Sequence, residues 1–96
     1  LVLGLLSDDG ATLNWLHMAG YSPAIEAQIG SGLSMKQPSA AADAVRTAAP
    51  VLISSVTEYR ERYPAGGQWM IEADAASIGS WPLMVGSRAV GVLGLM

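Results

Sequence analysis

The closing segment of the chain constrains its fold more than any other. Ser80-Trp81-Pro82-Leu83-Met84-Val85 is apolar after its serine and breaks at the polar Gly86-Ser87-Arg88. It returns as Ala89-Val90-Gly91-Val92-Leu93-Gly94-Leu95. Gly86 can take a positive φ without steric penalty, so Gly86-Ser87 suits a two-residue type II′ turn. The segment from about Ala76 to Leu95 is therefore expected to be an antiparallel hairpin.

The opening has the same character. Leu1-Val2-Leu3-Gly4-Leu5-Leu6 is apolar at every position, which suits a strand covered on both faces. Asp8-Asp9-Gly10 is a turn signal, and Ala11 to Ala19 has the β-branched and aromatic content of a second antiparallel strand. Two hairpins at the two ends predict one antiparallel sheet in which they are neighbours.

Helices fill the middle. Ser22-Pro23 is a helix start, with serine capping free N–H groups and proline losing nothing at the first position. That helix is expected from Pro23 to about Ile29, stopped by Gly30. Ser39 opens an alanine-rich helix from Ala40 to Ala49, with Asp43 and Arg46 spaced i,i+3 on its surface and Pro50 ending it. Val51-Leu52-Ile53 is a short strand. Ser55-Val56-Thr57-Glu58 matches a capping box and opens a helix to about Arg62, with a Glu58–Arg62 pair at i,i+4. Leu33 to Met35 is too short to assign, and residues 68–76 fit a short helix or an ordered loop equally. The order predicts an α+β domain, with a mainly antiparallel sheet and helices covering one face.

Composition narrows the function. The chain has 96 residues, a single small domain, and no cysteine, which removes disulfides, thiolate metal sites and cysteine nucleophiles. The formal net charge is −3 and the basic residues are dispersed, so a nucleic-acid partner is not expected. No apolar run reaches the roughly 20 residues of a membrane-spanning helix, so none is expected, and the given sequence shows no basic-then-apolar signal-peptide pattern. The chain opens at Leu1 inside one apolar run and closes at Met96 inside another, which reads as an excised piece of a longer protein.

Several segments resemble, in order, those of bacterial GAF domains, a family of small-molecule-sensing and dimerising modules. The stretch Leu6-Ser7-Asp8-Asp9-Gly10-Ala11-Thr12-Leu13 is similar to the family's first hairpin, and Gly20-Tyr21-Ser22 to its usual exit. Ser39 through Val51 is similar to its helix leading into a Pro-Val strand. Tyr59-Arg60-Glu61-Arg62-Tyr63-Pro64 is similar to a segment common in GAF modules of phosphatases and histidine kinases. Trp81-Pro82-Leu83 through Leu95 resembles the closing hairpin. The resemblance implies a GAF-like, PAS-related central antiparallel sheet. It also implies N- and C-terminal helices, outside this chain, covering the second sheet face. The cysteines of bilin-binding and methionine-sulfoxide-reducing members are missing, and so is the Asn-Lys-Phe-Asp-Glu signature of the cyclic-nucleotide branch.

The candidate residues are few. His17, the only histidine, could serve as a haem or metal ligand or as a pH sensor, but an ordinary strand histidine is the plainer reading. Trp15, Trp69 and Trp81, with Met18, Met70 and Met84, could line an apolar ligand pocket or simply fill a core. Trp69 stands out because its flanks are Gly-rich. Asp8 and Asp9 read as turn residues, and Glu72 and Asp74 as surface carboxylates. No Gly-x-Ser-x-Gly elbow is present, and Val92-Leu93 stand where a phosphate loop starting at Gly86 needs Lys and Ser or Thr. The ligand-binding candidates are therefore Trp15, His17, Trp69, Met70 and Trp81, with no catalytic residue, metal or cofactor expected.

The resemblance implies a regulatory sensor module of a cytoplasmic bacterial signalling protein, such as a histidine kinase or serine phosphatase. Its partners would be a small-molecule ligand, an attached output domain and a second copy of the chain. The alternative is a ligand-free dimerisation or scaffolding module, and too few acid–base groups are present for an enzyme.

Overall fold

The computed structural model describes residues 1–64 and 77–96. The undecided segment 68–76, with Trp69, Met70, Glu72 and Asp74, lies outside the described residues. Six strands form one sheet: β1 (Val2–Leu6), β2 (Thr12–Met18), β3 (Leu33–Ser34), β4 (Val51–Ile53), β5 (Ile78–Val85) and β6 (Arg88–Leu95). Their order is β3-β2-β1-β6-β5-β4, and every pairing is antiparallel. The terminal hairpins are neighbours, joined where Val2 pairs with Gly94 and Leu5 with Gly91. Among the described residues three helices, α1 (Pro23–Ile29), α2 (Ala40–Thr47) and α3 (Val56–Arg62), lie between them in sequence. Among the described residues no helix is long and apolar enough to cross a membrane.

The turns form for local reasons. Gly86 has φ 62° while Ser87 stays out of the left-handed region, as a type II′ turn requires. At the other hairpin, Ser7 Oγ donates to Asp9 Oδ1 at 2.6 Å and the Ala11 N–H donates to the same oxygen at 3.0 Å. The Ser7 hydrogen bond, helped by Ala11, holds the Asp9 carboxyl below the ordinary carboxylate range. Asp9 is a turn residue, as its Asp-Gly context predicts.

The helix ends depart from expectation in two places. Helix α2 stops at Thr47, and Ala48 takes φ 53° and ψ 37°, so its N–H returns to the Ala44 and Val45 carbonyls. A left-handed alanine at this C-terminal position is strained where glycine would not be. Ala48→Gly is expected to raise stability by about 0.5–1 kcal/mol in urea unfolding. An unchanged or lowered midpoint would contradict the strain. At α3, Ser55 Oγ accepts from the Glu58 N–H at 3.1 Å, as a capping box demands. The Glu58 carboxylate, however, accepts from the Ser54 N–H at 2.8 Å and the Ser54 hydroxyl at 2.7 Å rather than from Ser55.

Period-two alternation sorts the strands into two faces. Val2, Leu13, Val51, Ile53, Ile78 and Val92 point to one, where Ala40, Ala44 and Val45 of α2 and the rings of Tyr59 and Tyr63 close over them. Helix α2 lies on β5 and β6, and α3 sits against β4. The opposite face carries Leu5, Leu16 and Leu52 in the open. The all-apolar opening run thus forms a strand covered on one face: Val2 and Gly4 are buried, and Leu5 is 40% exposed. No described element lies on the second face.

Candidate functional site

The best-formed cavity lies on the covered face, under the N-terminus of α2. Its floor is one row across three strands, because Gly94 of β6 pairs with Val2 of β1 on one side and Ser80 of β5 on the other. Gly94 brings no side chain to this row. A Cβ there would stand 2.7 Å from Val2 Cγ2, so glycine keeps the floor low. The cavity holds about 70 Å³, space for a compact ligand of a few heavy atoms.

Its walls come from both ends of the sheet. Trp15 stands on one side, its ring lying over Gly4 so closely that a Cβ on Gly4 would meet the ring at 2.7 Å. The Trp15 Nε1–H donates to the Ile29 carbonyl oxygen at 2.6 Å, which ties the end of α1 to β2. Tyr21 and Leu33 continue that wall, and Tyr59 and Ile78 form the other. Burial pushes the Tyr21 phenol above its ordinary pKa.

The roof is the first turn of α2, with Ser39, Ala40 and Ala41 lining the cavity. Ser39 is the N-cap: its backbone is extended and its Oγ accepts from the Ala42 N–H at 3.1 Å. The Asp43 N–H donates to the Ser39 carbonyl oxygen at 2.9 Å. The N–H groups of Ala40 and Ala41 precede these and have no backbone acceptor, as first-turn groups of a helix do not. Among the described residues no Lys, Arg, His, Asp or Glu lines this cavity.

Ser80 is the unusual member. It is 3% exposed, it lines the floor, and its hydroxyl has no hydrogen-bond partner among the described residues. Among the described residues no completely occluded side-chain oxygen lacks a partner, so the Ser80 hydroxyl is not wholly shut off from its surroundings.

Beside the cavity, Asp43 gathers two elements onto α2. Arg46 bridges Asp43 Oδ1 at 2.6 Å and also donates to the Met35 carbonyl oxygen at 2.7 Å. The Tyr63 hydroxyl donates to Asp43 Oδ2 at 2.6 Å. Burial first, then this hydrogen bond to Asp43, pushes the Tyr63 phenol up to about 12. A raised folded-state pKa means that the folded chain holds its proton where the unfolded chain has lost it. This contribution is full below about pH 10 and is lost as pH rises through about 12. Urea midpoints are therefore expected to fall across that window, and to fall less in Tyr63→Phe. Equal slopes in the two proteins would contradict the assignment.

The sequence-derived candidates are dispersed. Trp15 lines the cavity. Trp81 is on the other face of the sheet, its ring covering Gly79, and lines a shallower groove with Leu52 and Glu58. His17 is exposed on β2 and lines neither space. A bulge explains its position: Leu3 pairs with His17 and Gly4 with Trp15, so Leu16 is the extra residue and the alternation slips there. Among the described residues no cluster of His, Asp or Glu could hold a metal ion. The polar residues that do converge, Ser39, Ser80 and Tyr21, lack the residue chemistry that marks a site in sequence. The one available signal for Ser80 is its place at the head of an apolar strand, two residues from Ile78, which puts it on the buried face.

No protein-family model and no curated protein matches the sequence. Solved structures do. A Staphylococcus aureus NreA protein mutated in its nitrate-binding site superposes with a TM-score of 0.67 at 17% identity, covering 97% of this chain and 67% of that one. A hypothetical protein of S. aureus gives 0.67 and 17%, with 97% and 75% covered. A domain of a two-component sensor histidine kinase protein from Sinorhizobium meliloti gives 0.61 and 18%, with 97% and 56% covered. At such identities the likeness is one of fold: an α+β domain with a GAF-like central antiparallel sheet and helices covering one face.

Proposed function

We propose that this chain is a small-molecule-sensing GAF-like module of a bacterial signalling protein, binding its ligand in the cavity between α2 and the β1-β6-β5 floor. The observation that supports it best is the partnerless Ser80 hydroxyl on an otherwise apolar floor. Ligand sites are apolar hollows with a few placed polar groups, and a core built for stability alone would fill that row with a methyl group. The similar structures, an NreA with a nitrate-binding site and a sensor histidine kinase domain, fit the same reading. Ligand occupancy would be transmitted to an attached output domain in the cytoplasm through the packing of α2, which touches both the cavity and the Asp43 junction.

Native mass spectrometry of the purified chain against its denatured mass tests this reading. A reproducible added mass, or a saturable shift on adding a compact ligand, is expected. A bare chain that no small-molecule panel shifts would overturn it. A second reading, a dimerisation module, is favoured by the open apolar face bearing Leu5, Leu16 and Leu52. Sedimentation velocity decides it: concentration-dependent dimers support it, and a monomer at high concentration removes it.

A further inference from the structure

We propose that α1 is a lid on the cavity, hinged at Gly20 and Gly32 and latched by the Trp15 indole N–H on the Ile29 carbonyl oxygen. The inference rests on the sensing reading above for what the lid encloses, and it adds how that space opens and closes.

Helix α1 is the helix that the rest of the fold holds least. Its seven residues, Pro23–Ile29, are too few to keep a helix alone in water, so it depends on its attachments. None of its described side chains is buried: Pro23, Ala24, Glu26 and Ala27 are exposed, and Ile29 is half-buried. Helix α2 packs on β5 and β6 and α3 on β4, but among the described residues α1 has no comparable packing on any element. A segment with so little buried apolar surface opens locally while the core stays closed.

Both ends of the segment are jointed. Gly20 stands at φ 83° and Gly32 at φ 107°, values that a residue with a side chain rarely adopts. The surroundings of Gly20 are open, since a Cβ there would meet only the Leu1 nitrogen, at 4.0 Å.

Trp15 is the fixed half of the latch. Its ring lies against Gly4 and lines the cavity, while its Nε1–H reaches the Ile29 carbonyl oxygen at 2.6 Å. Tyr21 and Ile29, on either side of the helix, line the same cavity. Latched, they complete its wall; swung away, they leave the space open to water. The same indole touches whatever fills the cavity and holds the helix that shuts it. Filling the cavity and closing α1 therefore favour each other.

Two measurements on the whole chain test this. The first is native-state hydrogen exchange followed by NMR at pH 7. The Glu26 and Gly30 N–H groups donate to the Ser22 and Glu26 carbonyl oxygens, and the Asp43 N–H of α2 to that of Ser39. The first two are expected to exchange on the order of a hundredfold faster than Asp43. Trp15→Phe keeps a ring over Gly4 and removes the N–H, so it should speed the α1 amides by about threefold to tenfold beyond any change at Asp43. Gly20→Ala should speed them by about tenfold without touching the latch, because opening α1 relieves the strained φ. The second measurement uses the lack of any cysteine in the chain. Ser80→Cys places a single thiol on the cavity floor, at a position 3% exposed. Its alkylation by iodoacetamide should outrun global unfolding and quicken in the Trp15→Phe background by the factor seen in exchange. Amides of α1 exchanging no faster than Asp43 would overturn the lid. Exchange unchanged by Trp15→Phe would overturn the latch, and exchange unchanged by Gly20→Ala would overturn the hinge. A thiol alkylated no faster in the Trp15→Phe background would mean that the cavity is entered elsewhere, and the gating would fall. If Trp15→Phe does not fold, Gly20→Ala carries both comparisons. Neither measurement needs a ligand, so failure of the lid is read separately from failure of the sensing reading, which the native mass spectrum decides.

Discussion

Gly91→Ala is expected to destabilise the domain by about 3 kcal/mol, a large share of what a chain of this size has to lose. The reason lies in the join between the two hairpins. Gly91 of β6 pairs with Leu5 of β1, and a Cβ added to it would run into the carbonyl oxygen of Gly4, with Leu5 Cδ2 at 3.2 Å as the next neighbour. A side chain in the way could rotate aside; a backbone oxygen in the middle of a six-stranded sheet cannot. Relief requires β1 and β6 to separate, and that pairing holds the two halves of the sheet together. Gly86→Ala is the informative contrast. Nothing lies within 4 Å of its Cβ position, and its difficulty is the positive φ alone, worth about 1–2 kcal/mol. Urea unfolding followed by tryptophan fluorescence compares the two. A Gly91→Ala midpoint at or above that of Gly86→Ala would remove the close approach from the account of this fold.

The same join shows where sequence reasoning reaches and where it stops. The hairpins were legible because each is local: Gly86-Ser87 and Asp9-Gly10 determine a turn within a few residues, and the flanking apolar runs do the rest. The helix starts were legible for the same reason, since Ser39 and Ser55 cap the third N–H beyond them without help from the rest of the chain. Strand β3 was not, because two residues acquire strand geometry only from pairing with Thr12 and Leu13. The Asp43–Tyr63 bond spans twenty residues and depends on how α3 packs beside α2, which periodicity does not encode. The exposure of His17 depends on a bulge at Leu16 with no glycine or proline to announce it.

The site was the least legible part. The residues that stand out in the sequence by their chemistry are the tryptophans, the methionines and the single histidine. Of the described ones, the tryptophan on β2 lines the cavity, while the one on β5 and the histidine lie elsewhere. What converges instead is two serines, a tyrosine and two backbone N–H groups, each ordinary in its own segment. Gly94 contributes by lacking a side chain. A candidate site made of helix-end geometry and one buried hydroxyl takes shape only after β1, β6 and β5 are side by side and α2 lies across them.

Tyr59→Ala tests whether α3 belongs to that assembly or merely decorates it. Helix α3 has seven residues, too few to hold helical structure alone in water, and Tyr59 is its buried residue. Its ring is 1% exposed and lies 4.9 Å from the Tyr63 ring at a tilt of 48°. The Glu58–Arg62 pair on the outer face, at 3.9 Å and well exposed, adds little. Removing the ring therefore leaves a void between α3 and the sheet, and the expected loss is about 3–5 kcal/mol. Tyr59→Phe keeps the ring and its packing and should lose only about 1 kcal/mol. Because Tyr59 also lines the cavity, the truncation is expected to weaken the binding of any ligand held there, under conditions where the variant remains folded. A Tyr59→Ala protein within about 1 kcal/mol of the wild type would mean that α3 is held by something other than this ring. A destabilised variant that keeps its affinity for a ligand found by native mass spectrometry would move that ligand away from the α3 side of the cavity, toward Trp15 and the α2 N-terminus.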